Sequence, residues 1–189
     1  MRYLPVLIVL SLAPATSIAH ADPLSDAVGR YRVASSSHIH FSVAQLGGDP
    51  IEGEFAKFNG VFEIESDVAQ SKVEFSLEPA SVKAVDPRVE EFIKSEAVFN
   101  AAQFPTVSFR STRIARTGKN SASVEGQLTA KGLTRSTKFD VEFLQQKGSS
   151  VRFHVTGKLS RAKFNMDVGV PIYSNMVVLD MDLMGMRRN

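Results

Sequence analysis

Cysteine and tryptophan are both absent from the 189 residues. Without cysteine there is no disulfide framework, no thiolate nucleophile and no Cys-ligated zinc or iron–sulfur centre. Stability has to come from apolar burial and backbone pairing. Excess charge is missing too, since 22 Lys and Arg face 20 Asp and Glu. Such a balance argues against a nucleic-acid partner, whose binder carries a large, clustered positive charge. Arg187-Arg188 near the C-terminus reads as a solvated tail. Long apolar runs are confined to the N-terminus. There Leu4 to Leu12, interrupted by Pro5 and Ser11, falls short of the ~20 residues that a spanning helix needs.

Arg2 precedes that run, and Ala19-His20-Ala21 follows it as a small-x-small cleavage signature. The expectation is a secretory signal over residues 1–21 and one mature domain over 22–189. No cysteine follows the cleavage site to accept a lipoprotein anchor, and no later segment reaches transmembrane length. The leader holds one of the 22 basic residues and none of the 20 acidic ones, leaving the mature part a formal charge of +1.

What the chain has in abundance is alternation of apolar and polar residues, the period of a strand. Ile39, Phe41 and Val43 alternate with His40 and Ser42; Val73, Phe75 and Leu77 alternate with Glu74 and Ser76. The same pattern recurs at Val107 and Phe109, at Phe139, Val141 and Phe143, at Val151, Phe153 and Val155, and from Val177 to Leu183. Asn59-Gly60, Lys131-Gly132 and Lys147-Gly148-Ser149 carry turn signals. One segment, near residues 86–102, reads as helical. Asp86 is placed to cap, Pro87 suits the first helical position, and Val89, Phe92 and Ile93 share a face. That stripe, with Phe99, predicts a helix laid over one opening or flank of a β-domain. An antiparallel, mainly β chain of this kind closes as a sandwich or a barrel, and periodicity does not choose between them.

Candidate chemistry is sparse. His38 and His40 lie two apart on a strand and point to one side, a spacing that suits a metal, but only His154 remains in the mature part as a third imidazole. No metal site is assigned on that basis. Serines are plentiful, yet no G-x-S-x-G elbow presents one, and no Gly-rich loop leads into a helix to cradle phosphate. Glu90-Glu91 reads as the dipole-favoured start of a helix. The expectation is a protein that is not an enzyme and carries no cofactor. Taken singly, each of the phenylalanines in the alternating runs reads as ordinary core.

A family resemblance sharpens this picture. Ser35 to Gly48 (SSSHIHFSVAQLGG) resembles the opening strand of the YceI-like domain, and Gly53 to Glu65 its G-x-F-x-x-F-x-G hairpin. Asp86 to Thr112, Leu128 to Arg135 and Ser160 to Asp167 are similar to its helix-F-P-S-F-x-S-T, L-T-x-x-G-x-T and R-x-x-F-x-M segments. The resemblance implies a single antiparallel, lipocalin-like β-barrel that holds a long apolar molecule: a polyisoprenoid, its pyrophosphate or a fatty-acid derivative. It also implies a periplasmic location, and leaves a homodimer open. Ile39, Phe41, Val43, Phe75, Leu77, Val107, Phe109, Phe139, Val141, Phe143 and Phe153 become candidate lining for that ligand. Arg161 and His38 become candidates for a polar headgroup. The chain departs from the family at Ser35, Gln45 and Asn165, where an Asp, a second His and a Gly are common, differences that bear on the headgroup more than on the barrel. A reading from another class is a stress-linked interaction module in which lipid is only a filler.

Overall fold

The computed structural model describes residues 24–188; the expected signal segment lies outside them. Eleven strand segments are described. They are β1 (Gly29–Val33), β2 (His38–Gln45), β3 (Ile51–Phe55), β4 (Phe58–Ile64), β5 (Lys72–Leu77) and β6 (Val82–Ala84), then β7 (Val107–Arg116), β8 (Ser121–Ala130), β9 (Leu133–Lys147), β10 (Ser150–Ser160) and β11 (Tyr173–Arg187). One helix, α1 (Pro87–Lys94), joins β6 to β7. Every strand pairing is antiparallel, and β1 pairs with β11 to close the sheet on itself.

Eight wall positions are built from the eleven segments, because three long strands are each broken once. β1 and β2 lie end to end along one edge of β11, with Val33 opposite Gly185 and His38 opposite Asp182. β3 and β4 do the same against β6 and β5, interrupted at Ala56-Lys57, where the Ala56 N–H still reaches the Ser81 carbonyl at 3.2 Å. A single turn of 3-10 helix, Pro79–Ser81, breaks β5 from β6. The result is an up-and-down barrel, closed where β1 meets β11, in which β6 is paired on one side only, by β3.

The expected Gly53–Glu65 hairpin is corrected by the structure: β3 and β4 do not pair, and Asn59-Gly60 forms no turn but sits inside β4, opposite Ser76 and Phe75. A Cβ at Gly60 would lie 2.7 Å from Val33 and 2.8 Å from Phe75, so the glycine makes room for side chains of the strands on both sides of β4. Lys131-Gly132 is a true two-residue hairpin. Both residues take left-handed φ values, 47° and 74°, as the primed turns that suit strand twist require.

α1 forms as expected, with the Asp86 carboxylate accepting from the Arg88 N–H at 2.9 Å and Pro87 in its first turn. Ser95 ends it, short of the expected 102; the following residues, to Thr106, form turns and loop. Glu90 ties the helix to the barrel by accepting from the Ala84 N–H at 3.1 Å and pairing with Lys83 and Lys94, each at 3.6 Å. The apolar stripe is used unevenly. Ile93 is buried and Val89 and Phe99 pack against the core, but Phe92 is 42% exposed.

The two barrel ends differ. At one end gather the 46–50 loop, α1 with its return to β7, the 131–132 turn and the 161–172 loop. At the other lie residues 24–28, the 65–71 connection and the 117–120 and 148–149 turns. Here Tyr31, 1% exposed, packs with Ala27, Ile64, Phe143 and Val151 as a separate core cluster. The Tyr31 hydroxyl donates to the Ala27 carbonyl and accepts from Arg187, both at 2.9 Å.

Candidate functional site: the barrel interior

Strand alternation delivers one face of each wall strand to the inside. On β2, Ile39 and Phe41 point inward and are buried while His38 and His40 point outward. Opposite them, Met181, Leu179 and Val177 of β11 continue the inner face in register. The interior so formed encloses a cavity of about 850 Å³ whose lining is overwhelmingly apolar. That is at the upper end of the ~300–1,000 Å³ usual for small-molecule sites.

Ten of the eleven lining candidates meet in this cavity: Ile39, Phe41, Val43, Phe75, Leu77, Val107, Phe109, Phe139, Val141 and Phe153. Phe143 does not. It belongs to the Tyr31 cluster, edge-on to Phe153 at 5.5 Å, and so helps fill the barrel beyond the cavity.

Why the lumen stays open despite so many phenylalanines is answered by glycine. Phe41 lies over Gly53, Phe75 over Gly60, Phe109 over Gly126 and Phe139 over Gly157. At each of these glycines a Cβ would come within 2.5–2.8 Å of the ring. With no side chain beneath it, each ring can lie against the neighbouring strand instead of projecting toward the axis. Phe109 and Phe139 then meet edge to face at 5.1 Å, within the favourable range for aromatic pairs. Glycines inside alternating runs are a signal of close approach, and the sequence reading left these four unused as lining determinants. It also read Val177, Leu179 and Met181 only as strand residues, although they line the cavity.

Polar side chains reach the lining mainly toward the ends, with Glu63, Ser71 and Lys72 at one and Asp86, Arg88 and Arg161 at the other. Arg161, only 9% exposed, follows β10 and turns its guanidinium into the 161–174 region. It donates to the carbonyls of Ser174 at 2.8 Å, Val168 at 2.9 Å, Tyr173 at 2.9 Å, and Met166. Four of its five N–H groups are thereby engaged by the protein's own backbone. Burial pushes its pKa below the ordinary arginine value, with Asp167 opposing the shift. The arrangement fastens a loop at the barrel end, and leaves at most one donor for a ligand.

His38 is turned away from the interior altogether. Its side chain is 60% exposed on the outer face, stacked on His40 with ring centroids 5.9 Å apart, and Glu54 of β3 approaches both. The wall itself separates it from any headgroup within the cavity.

Comparison with known proteins fits this geometry. A UPF0312 protein of Vibrio parahaemolyticus is 27% identical over 180 residues, covering 90% of this chain and 93% of that one. The crystal structure of Burkholderia cenocepacia BcnA is similar with a TM-score of 0.75 and 25% identity, over 80% of this chain and 98% of BcnA. A polyisoprenoid binding domain from Saccharophagus degradans shares the fold at a TM-score of 0.64 and 14% identity, over 85% of this chain and 99% of that domain. Residues 31–184 match the YceI-like domain, and the chain belongs to that family.

Proposed function

We propose that the barrel binds one long apolar molecule, a polyisoprenoid, its pyrophosphate or a fatty-acid derivative, and shields it from water for carriage or storage in the periplasm, without catalysis. The observation that carries this reading is the cavity of about 850 Å³, lined by apolar side chains held open by the phenylalanine-over-glycine pairs. The Saccharophagus neighbour, described as polyisoprenoid binding, supports the ligand class. Binding is driven by the tail, at about 0.8 kcal/mol for each methylene-sized unit taken from water. Arg161 acts chiefly by holding its loop in place. The entrance is at the helix end, where Leu46, Val85, Phe92, Val168, Val170 and Ile172 leave apolar surface exposed on adjoining loops.

The test is to extract protein made in its own cells under denaturing conditions and identify the released lipids by mass spectrometry. One defined apolar species near one per chain is the expected result. A mixture of host lipids favours the interaction module with lipid as filler, and the absence of any lipid contradicts the proposal. Incubating the protein with the released species and finding it chemically changed would overturn the non-catalytic part.

A further inference from the structure

We infer that the outer wall carries a binding site for one late first-row divalent cation, of the zinc class, formed by His38, His40 and Glu54. The strand period places His38 and His40 on the same outward face of β2, and register places Glu54 of β3 directly opposite His40. The Glu54 Oε2 lies 3.8 Å from Nδ1 of His38 and 3.9 Å from Nε2 of His40, and one ligand atom from each residue falls within 4.8 Å of the other two. Tetrahedral zinc with bonds of about 2.0–2.1 Å sets its ligand atoms ~3.3 Å apart. Contraction of roughly half an ångström is therefore needed between carboxylate and each imidazole, and up to about 1.5 Å between the two imidazole nitrogens, which rotation of these exposed side chains has to supply.

Two further observations support a cation here. The imidazole rings lie side by side on this outer face, almost parallel at 7° with centroids 5.9 Å apart. On the opposite flank, β11 places Asp180 across from His40 and Asp182 across from His38, so acidic residues border the imidazoles on both sides. Two histidines with one carboxylate form a donor set suited to zinc, with a fourth position left for water or a borrowed carboxylate. A hard ion such as magnesium, which prefers six oxygens, would find little here. This site is independent of the interior: the same strand offers imidazoles outward and Ile39 and Phe41 inward.

The test is isothermal titration of zinc into the untagged, chelator-stripped protein. One equivalent should bind saturably and resist displacement by excess magnesium. His38→Ala, His40→Ala and Glu54→Gln should each weaken it by about tenfold or more. His154→Ala, which removes an outward imidazole across β11 beside Asp180 and Asp182, should change it by less than about twofold. All four residues are partly or fully surface-exposed, so circular dichroism should report unchanged folding. Absence of saturable binding overturns the site. So does displacement by magnesium, an equal loss in His154→Ala, or unchanged affinity in the three ligand variants.

Discussion

The helix end and the opposite end of the barrel are made from the same kinds of residue but use them in opposite ways. At the far end, Tyr31 is sealed in apolar neighbours, stacked on Phe62 at 5.3 Å, and its hydroxyl is matched by Ala27 and Arg187. At the helix end, Val85 is 99% exposed, Leu46 76% and Ile172 55%, and Phe92 lines the cavity with part of its surface in solvent. Apolar surface left in water stabilises nothing at that end. On the proposed function the far end is the barrel's structural floor and the helix end its mouth, and each change below tests that division.

Truncating the floor should cost most. Tyr31→Ala removes a buried ring together with the hydrogen bonds of its hydroxyl, and should destabilise by about 3–5 kcal/mol in chemical denaturation. Phe92→Ala, at the mouth, should cost no more than about 1 kcal/mol, because less than the full side chain leaves an apolar environment. Similar losses in the two variants would erase the distinction between the ends.

Arg161 is held tightly at the mouth. Arg161→Ala strands four carbonyls that it now satisfies, and should cost about 2–4 kcal/mol, with faster hydrogen exchange confined to residues 166–174. Arg161→Lys should recover little of this, since an ammonium cannot match a planar fork of donors. Exchange unchanged in that loop would mean that the guanidinium is not its fastener.

Between the ends, Gly157→Ala tests the lumen. The new Cβ would sit 2.5 Å from the Phe139 ring, with the nearest backbone atom, the Lys138 oxygen, at 3.6 Å, so the ring is what has to move. Stability should fall by about 1–3 kcal/mol, as for other overpacked positions. Native mass spectrometry should show less retained apolar ligand per folded chain. Undiminished retention would mean that Phe139 has room to spare.

The smallest effect concerns how α1 is moored. The Ala84 N–H, and then the charges of Lys83 and Lys94, hold the Glu90 carboxyl below its ordinary value of 4.5. Its contribution is complete above that value and is lost as pH falls through the lower folded one. The Ala84 amide resonance should titrate with a midpoint below 4.5 and lose that step in Glu90→Gln. A midpoint at or above 4.5 would show that the helix is not moored there.

Much of this architecture can be read from the sequence where one residue's neighbours along the chain decide its fate. Alternation locates the β2 face that carries Ile39 and Phe41, and Asp86-Pro87 locates the start of α1. The family resemblance, not periodicity, selects the barrel over the sandwich. What the sequence hides is set across strands. Asn59-Gly60 looks like a turn because a local dipeptide signal says so, whereas Val33 and Phe75, distant in sequence, require the glycine. Phe143 shares a strand face pattern with Phe139 and Val141, but lies too far along β9 to reach the cavity. Arg161 has the chemistry of an anion binder, and only the folded loop reveals that its donors are already engaged. His38 and His40 find their carboxylate on β3, a partner that spacing along β2 does not name.

The most direct test of the central claim is ligand retention by Phe109→Asp, measured by native mass spectrometry with circular dichroism as the check on folding. Phe109 is buried at the middle of the lining, against Phe139 and over Gly126. A carboxylate there should leave no favourable path for a long apolar chain. The wild-type protein should carry one apolar molecule per chain, and folded Phe109→Asp protein should carry none. A folded variant that still holds the wild-type ligand would contradict the account, and would mean that the interior is core rather than a binding channel.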